Sequence, residues 1–243
     1  MQYRVNFFVQ LIQSLLTLAT SLVVLAIVFD RTDTLGGWTK PELLAVMGIF
    51  TLVDGVIRAF IQPNMARLIG EIRDGKLDHL LTKPADAQTL VSVRQVEIWQ
   101  VIDVVLGAVL IVIAARRFDR PVTQWSTLSF VVMLLVGLIV IYCFWLMLAT
   151  CAFWLVRMHE VEELFGGLLR AGQYPVGIYP GWMRAGLTFI VPLAFAVSVP
   201  AEALTGRVTR GTMVVAGAMA VGLAAFSRWF FHRGLRRYGS ASS

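Results

Sequence analysis

The sequence predicts an all-α polytopic membrane protein with six transmembrane helices. Of its 243 residues, 58% are hydrophobic and only 15% are charged, and the mean hydropathy is +0.75. Soluble domains average about 45–50% apolar and about 25% charged residues, so this composition is typical of a chain that crosses a bilayer repeatedly. The net charge of +6 lies at the ends of apolar runs, as in membrane proteins, and not on a basic stripe that would suggest nucleic-acid binding.

The apolar runs define the predicted spans, because about 20 apolar residues cross a bilayer core. We predict spans at about 7–29, 43–62, 96–115, 126–156, 161–179 and 211–231. The second span is interrupted by Asp54 and Arg58. The charge-free run 121–156 is longer than one crossing needs, so part of it must lie outside the bilayer core.

The stretch before the last span allows two topologies. In one, 185–204 crosses the membrane and 158–182 stays on the near side. In the other, 161–179 crosses despite two glutamates and one arginine, and 180–204 enters and returns as a re-entrant hairpin. Hydropathy favours the first topology, whereas the four prolines between 175 and 200 favour the second, because proline interrupts a long helix.

The distribution of Lys and Arg predicts that both termini are cytoplasmic. With the first topology, thirteen lie in the inner segments and seven in the outer segments. The inner residues are Arg4, Arg67, Arg73, Lys76, Lys83, Arg94, Arg157, Arg170, Arg184, Arg228, Arg233, Arg236 and Arg237; the outer residues are Arg31, Lys40, Arg116, Arg117, Arg120, Arg207 and Arg210. This bias follows the positive-inside rule, and the second topology leaves both termini on the same side.

A charged island, "RLIGEIRDGKLDHLLTKP" (67–84), follows the second span. Its apolar residues recur at the spacing of one helical face: Met65, Leu68, Ile69 and Ile72, then Leu77, Leu80 and Leu81. Pro63 is suited to open the first helix, Gly75 to end it and Pro84 to stop the second. The island is therefore predicted to form two short amphipathic helices on the cytoplasmic side.

Two interpretations of the island remain open. It is either a helix on the membrane surface or a docking element for a cytoplasmic protein. Its mixture of both charge signs favours a protein surface over an anionic lipid layer. The segment 70–76 approaches a P-loop, but Leu77 replaces the Ser or Thr and a membrane span replaces the preceding strand, so nucleotide binding by this chain is not expected.

Three stretches resemble ABC-2-type transporter permeases, the membrane subunits of ABC exporters, in the branch with a G-x-L-D-x-L-L cytoplasmic loop. They are "PNMARLIGEIRDGKLDHLLTKP", "YPVGIYPGWMRAGLTFIVPLAFAVSVPAEAL" (174–204) and the tail "GLRRYGSASS". The resemblance extends over nearly the whole chain. It implies one transmembrane permease domain (1–243) in the prokaryotic cytoplasmic membrane, and it favours the re-entrant segment 180–204.

The resemblance also implies a heteromeric complex. Such a permease pairs with a second permease subunit, commonly a non-identical one in this branch, and with two copies of an ATP-binding subunit. ATP and Mg would belong to that partner, and no cofactor is expected on this chain. The island would be the coupling helix (64–83), which docks on the ATPase through Leu68, Glu71, Ile72, Gly75, Lys76, Leu77, Asp78, Leu80 and Leu81.

Intramembrane charges are further candidate site residues. Asp54 and Arg58 stand at i, i+4 and are expected to pair, either as a structural pair near the inner boundary or along a substrate path or subunit interface. Glu202 is placed at the tip of the predicted hairpin as a possible pathway residue. Glu97 and Asp103 are expected at the membrane interface.

No catalytic set or metal site is apparent in the sequence, since His79, His159 and His232 are scattered and lack ligand spacing. The alternative function is a secondary transporter or channel that is not driven by ATP, which should show an inverted repeat. No repeat is visible between 1–120 and 121–243. A membrane enzyme or assembly scaffold is a third possibility, without a catalytic set to support it.

Overall fold

A computed structural model describes residues 2–77, 84–154, 173–187, 192 and 194–241. Within them the chain forms nine α-helices and one two-stranded hairpin. The helices are α1 (Gln2–Phe29), α2 (Lys40–Val56), α3 (Gln62–Arg73), α4 (Ala87–Ser92), α5 (Val101–Ala115), α6 (Gln124–Thr150), α7 (Gly181–Ala185), α8 (Val199–Leu204) and α9 (Arg210–Ala241); the strands are β1 (Thr34–Leu35) and β2 (Trp38–Thr39). The hairpin pairs Thr34 with Thr39 in antiparallel register.

Five helical segments of the described residues are long and apolar enough to cross a membrane. They are Phe7–Phe29, Lys40–Arg73, Ile98–Ala115, Gln124–Phe153 and Arg210–Tyr238. The prediction of an all-α polytopic membrane protein is therefore confirmed. Most of the fifth predicted span (161–179), namely residues 161–172, lies outside the described residues.

The five segments define two ends of the bundle. The hairpin end holds β1, β2 and the connections 116–123 and 205–209, whereas the basic end holds α3, α4 and the C-terminal part of α9. Every long segment runs from one of these ends to the other, and successive segments run in opposite directions, as successive crossings of a membrane would.

The contact between α2 and α5 forms the centre of the bundle, and it depends on glycine. A Cβ atom on Gly107 would lie 2.5 Å from the backbone nitrogen of Leu52 and 2.6 Å from the carbonyl oxygen of Gly48. A side chain would therefore force the two backbones apart. Such close approach is how small residues permit tight helix packing within a membrane.

The second span does not end at the membrane boundary. A π-helical turn, Ile57–Ile61, leads directly from α2 into α3, and the N–H of Gln62 donates to the carbonyl of Ile57. Pro63 lies in the first turn of α3 and has no N–H to donate to the carbonyl of Ala59. That carbonyl accepts instead from the N–H of Glu97 at 2.9 Å, so the helix continues past the proline without an unpaired buried carbonyl. The span and the first island helix, predicted as separate elements, thus form one helical rod, because the wider π turn carries the helix through to the proline.

Segment 194–204 lies buried against α6. It consists of a π-helical turn, Ala194–Ser198, followed by α8. A Cβ on Gly137 of α6 would lie 2.5 Å from the carbonyl oxygen of Phe195, so glycine again permits the contact. The chain leaves α8 at the hairpin end, where the Arg207 guanidinium donates to the carbonyl of Gly37 at 2.9 Å.

Helix α1 is the most peripheral of the long helices, and a polar cluster attaches it to α5. Gln10 Nε2 donates to Gln100 Oε1 at 3.0 Å and to Asp103 Oδ2 at 3.4 Å. Asp103 is buried, because α1 covers the carboxylate and satisfies it with an amide donor; its expected position at the membrane interface stays a prediction.

Candidate docking site

The apolar face of α3 is turned toward the protein's own core. Met65 and Leu68 are each 1% exposed, and Ile69 and Ile72 are partly buried against the same cluster. The helical spacing that predicted an amphipathic helix is confirmed by this burial. The polar face of α3 is the one that remains available to solvent or to another protein.

Asn64 holds α3 against the chain that precedes α5. Its Oδ1 accepts hydrogen bonds from the backbone N–H groups of Arg94 and Gln95, at 2.9 and 3.0 Å. Its Nδ2 donates to the carbonyls of Gln95, at 2.8 Å, and of Phe60, at 2.6 Å. Asn64 is only 2% exposed, so one buried side chain bonds to four backbone groups at the junction between the span and the island.

An ion-pair network gives the same junction a second connection. The Glu71 carboxylate accepts from Arg94 Nη1 at 2.7 and 2.8 Å, and from Arg67 Nε at 2.9 Å. The side chains of Glu71 and Arg94 are only 15% and 16% exposed. Charge-assisted bonds of this length fix orientation as well as adding stability, so α3 is held rigidly relative to the start of α5.

The end of α3 is shaped by Gly75, as the sequence predicted. Gly75 has φ of +66°, a left-handed conformation that glycine adopts without strain. Its N–H donates to the carbonyl of Ile72, and the N–H of Lys76 donates to that of Glu71. This pattern is a Schellman motif, which satisfies the last carbonyls of a helix and reverses the chain direction.

Leu77 is placed differently from the prediction that it anchors a partner. Its side chain is fully buried in the core of this chain, and its backbone N–H donates to Tyr238 Oη at 3.3 Å. Tyr238 lies near the end of α9, 161 residues later. Leu77 and Leu68 therefore fasten the island to the bundle, and the area they offer a partner in this arrangement is minimal.

The exposed surface of the described part of the island is charged. Arg73 and Lys76 are 67% and 71% exposed, and each lies within ion-pair distance of Asp74, at 3.5 and 3.2 Å. The ammonium of Lys76 lowers the pKa of Asp74 below its ordinary value, so this surface carries both charge signs at neutral pH. The predicted docking residues Asp78, Leu80 and Leu81 lie outside the described residues.

The intramembrane charges fall into two separate places. Arg58 and Asp54 pair at 2.8 Å, with side chains 40% and 20% exposed, at the last turns of the second span before α3. The predicted i, i+4 pairing is confirmed. Glu202 is half-buried on α8, and its carbonyl accepts from the N–H of Arg207 at 2.8 Å at the hairpin end, so the structure does not bring it to that pair.

Three residues of this site were missed by sequence reasoning: Asn64, Arg94 and Tyr238. Asn64 could have been found, because it stands on the same helical face as Ile61, Met65 and Leu68, and a polar residue on a buried face needs hydrogen-bond partners. The contacts of Arg94 and Tyr238 join distant parts of the chain and leave no local pattern.

Among the residues described, no group of three or more His, Cys, Asp and Glu side chains is placed to hold a metal ion.

Comparison with families of known proteins supplies a match over nearly the whole chain. A search of curated proteins found no match, and a search of solved structures found none. The family model described as "ABC-2 family transporter protein" matches residues 15–242. With its membrane-spanning helices, the chain therefore belongs to the ABC-2 family of transporter proteins.

Proposed function

We propose that this chain is the permease subunit of an ATP-driven exporter, and that residues 64–83 are the coupling helix that docks on a separate ATPase subunit. The observation that carries the proposal is the continuous rod from α2 through the π turn into α3, held at its far end by Asn64 and by the Glu71–Arg94 pair. Force applied to α3 reaches the membrane span through this rod without an intervening hinge loop.

The exposed charges describe how the docking surface would work. Arg67, Arg73, Asp74 and Lys76 face outward, and the leucine-bearing segment 78–83 follows directly. Charges at the rim of an interface set register and specificity, while apolar residues at its centre contribute most of the affinity. We assign Leu80 and Leu81 the apolar contact and Leu68 and Leu77 the support beneath it.

The second element of the proposal is a re-entrant hairpin formed by 180–204. Two contacts support it. A Cβ on Gly36 of the strand hairpin would lie 2.9 Å from Ile178 Cγ1, and Arg207 bonds to Gly37. The chain therefore enters and leaves this segment at the same end of the bundle, as a re-entrant element requires.

The proposed orientation of the protein in the membrane follows from the distribution of its basic residues. Among the described residues, the basic end carries the exposed arginines of α3 and the cluster Arg233, Arg236 and Arg237, which the positive-inside rule places in the cytoplasm. The hairpin end and the proposed re-entrant segment then face outward. We place the protein in the prokaryotic cytoplasmic membrane, with ATP and Mg held by the ATPase and no cofactor held by this chain.

A second permease subunit, of a different kind, completes the proposed complex. Large apolar side chains on α1 are exposed, among them Phe8 and Ile12 (59% and 57% exposed), and the same is true of Val105 on α5. These faces are available to lipid and to another permease. Asp54 and Arg58, at the cytoplasmic boundary in this orientation, are proposed to line that interface or the substrate path.

The test is purification of the full chain with its native subunits, followed by ATPase and transport assays in liposomes. The double variant Leu80→Glu/Leu81→Glu should release or uncouple the ATPase, and Arg73→Glu/Lys76→Glu should weaken its binding. The matched control Arg116→Glu/Arg117→Glu makes an equal charge change at the hairpin end and should leave coupling intact. Normal coupling in both island variants would overturn the docking role.

The same preparation separates the alternative function. A secondary transporter or channel would transport without a bound ATPase, and its activity would follow an ion gradient instead of ATP. Co-purification of an ATPase whose activity depends on the island is expected only for the proposed function.

A further inference from the structure

A basic and aromatic cavity of about 780 Å³ opens at the C-terminal part of α9, outside the docking surface described above. It is lined by Trp154, Ala225, Arg228, Trp229, His232, Arg233, Arg236 and Arg237. Seven of these residues come from one face of α9, and Trp154 closes the cavity from the chain that follows α6. Among the described residues, the lining contains four arginines and no acidic side chain.

The depth of this cavity matches the headgroup layer of a bilayer. The helix begins at Arg210, and Arg228 lies about 27 Å farther along its axis at about 1.5 Å per residue. The hydrocarbon core is about 30 Å thick, so a spanning α9 carries its lining residues across one boundary of the membrane. This placement holds whichever end of the bundle faces the cytoplasm.

The aromatic side of the cavity is ordered by packing. The Trp154 ring stacks on Phe230, with centroids 5.1 Å apart, and the Arg233 guanidinium lies 5.8 Å from the centroid of the Trp229 ring. Indole rings favour the membrane interface because one part of the ring is apolar and the other forms hydrogen bonds. A guanidinium above such a ring keeps its outer edge available to an anion.

The charges on this face call for an anion. Arg233 and Arg236 are three residues apart on one helix, so their side chains are neighbours and their like charges repel. Arg228 bonds to Asp86 at 3.1 Å, and His232 lies 3.9 Å from the same carboxylate. Because Arg228 is already paired with Asp86, Arg233 and Arg236 are the cations best placed to bind a phosphate.

We propose that this cavity binds the phosphate headgroup of an anionic phospholipid. The phosphodiester would lie between Arg233 and Arg236, whose forked guanidinium groups bind phosphate in a bidentate manner, and the glycerol region would lie against the indoles of Trp154 and Trp229. This goes beyond the transport role and does not depend on ATPase docking.

The test compares lipid retention by the full chain in mixed nanodiscs, measured by native mass spectrometry. Wild-type protein should retain phosphatidylglycerol in preference to phosphatidylcholine. Arg233→Gln/Arg236→Gln should weaken this retention about thirtyfold, which corresponds to about 2 kcal/mol if each cation near the surface contributes about 1 kcal/mol. Arg233→Lys/Arg236→Lys should keep an intermediate preference, because charge remains while the fork is lost.

Matched controls keep the result interpretable. Arg116→Gln/Arg117→Gln removes the same charge from the hairpin end and should leave the preference unchanged, and thermal unfolding reports whether each variant is folded. Equal retention of both lipids by the wild-type protein would overturn the proposal and leave the cluster as an orientation signal. Full displacement of phosphatidylglycerol by inorganic phosphate would overturn the lipid assignment and indicate a site for a free anion.

Discussion

At the hairpin end, the Glu42 carboxylate accepts from Arg207 Nη2 at 2.6 and 2.7 Å, and at the basic end Glu71 accepts from Arg94 Nη1 at 2.7 and 2.8 Å. Both pairs join residues far apart in sequence. The Arg207 guanidinium also bonds to Gly37 and lies 4.9 Å from the centroid of the Trp38 ring. At the hairpin end, Arg207 therefore links the segment after α8 to the strand hairpin and to α2.

The basic end differs in that its arginine is less exposed and charged side chains at the end of α3 are highly exposed. Arg94 is 16% exposed whereas Arg207 is 40% exposed, and beyond the basic-end pair Arg73 and Lys76 extend into solvent. The hairpin end also exposes charges, Arg116 and Arg117 among them, but they lie on a connection between two spans. The basic end carries its exposed charges on a helix that continues a span and has a rigid internal support, which is the combination that a docking element requires.

The largest expected effect comes from disrupting the α2–α5 contact, which lies at the centre of the bundle and connects the two ends. Gly107→Ala places a Cβ against the backbone of Leu52 and Gly48, and the cost should be about 3 kcal/mol or more, because backbone atoms cannot move aside as side chains do. Unfolding of the purified protein in mixed micelles measures it.

Gly217→Ala is the matched control for that variant. A Cβ at Gly217 of α9 meets nothing within 4 Å, so the change should be neutral or stabilise the helix by up to about 1 kcal/mol. Equal stability of the two alanine variants would show that the α2–α5 contact is looser than the structure indicates.

The second prediction breaks the basic end alone. Asn64→Ala leaves the N–H groups of Arg94 and Gln95 without their acceptor, and the cost should be about 2–3 kcal/mol because buried polar groups lose their partners. Hydrogen exchange should accelerate at residues 94 and 95 and stay unchanged at the strand hairpin. Uniform acceleration at both ends would contradict a local role for Asn64.

The membrane architecture could be predicted from the sequence because it depends on patterns among neighbouring residues. Apolar runs of span length and the helical face of Met65 and Leu68 depend on neighbouring residues only, and Gly75 ends α3 through its own backbone freedom. The docking role of the predicted residues, those beyond Leu77 included, stays a prediction.

Two features could not be derived in this way, because they arise from packing between distant segments. Leu77 is suited to a partner by its position among charges, yet Tyr238 and the core bury it. The tight helix contact is at Gly107, and its partner Gly48 lies on another span. Only the assembled bundle shows which glycines face each other.

The third prediction compares the two ion pairs by double-mutant cycles, using Glu71→Gln with Arg94→Met and Glu42→Gln with Arg207→Met. The coupling energy should be about 1–2 kcal/mol at the basic end and below about 1 kcal/mol at the hairpin end, because the more exposed Arg207 is better screened by solvent. The reverse order would mean that the hairpin end is the more rigid support.

The smallest expected effect comes from substituting Asp86, which precedes α4 and joins it to α9 through Arg228. A hydrogen bond from the backbone N–H of Thr89 and the nearby charge of Arg228 lower the pKa of Asp86. A carboxyl whose pKa is lowered by folding stabilises the protein above its ordinary pKa, and this contribution is lost as the pH falls through the lowered value.

Asp86→Asn should keep the cap of α4, since Asn caps helices as well as Asp, but should remove the attraction to Arg228. Thermal unfolding should therefore separate the two proteins slightly at neutral pH and bring them together in acid. A constant difference at every pH would show that the charge of Asp86 contributes nothing to the stability of the basic end.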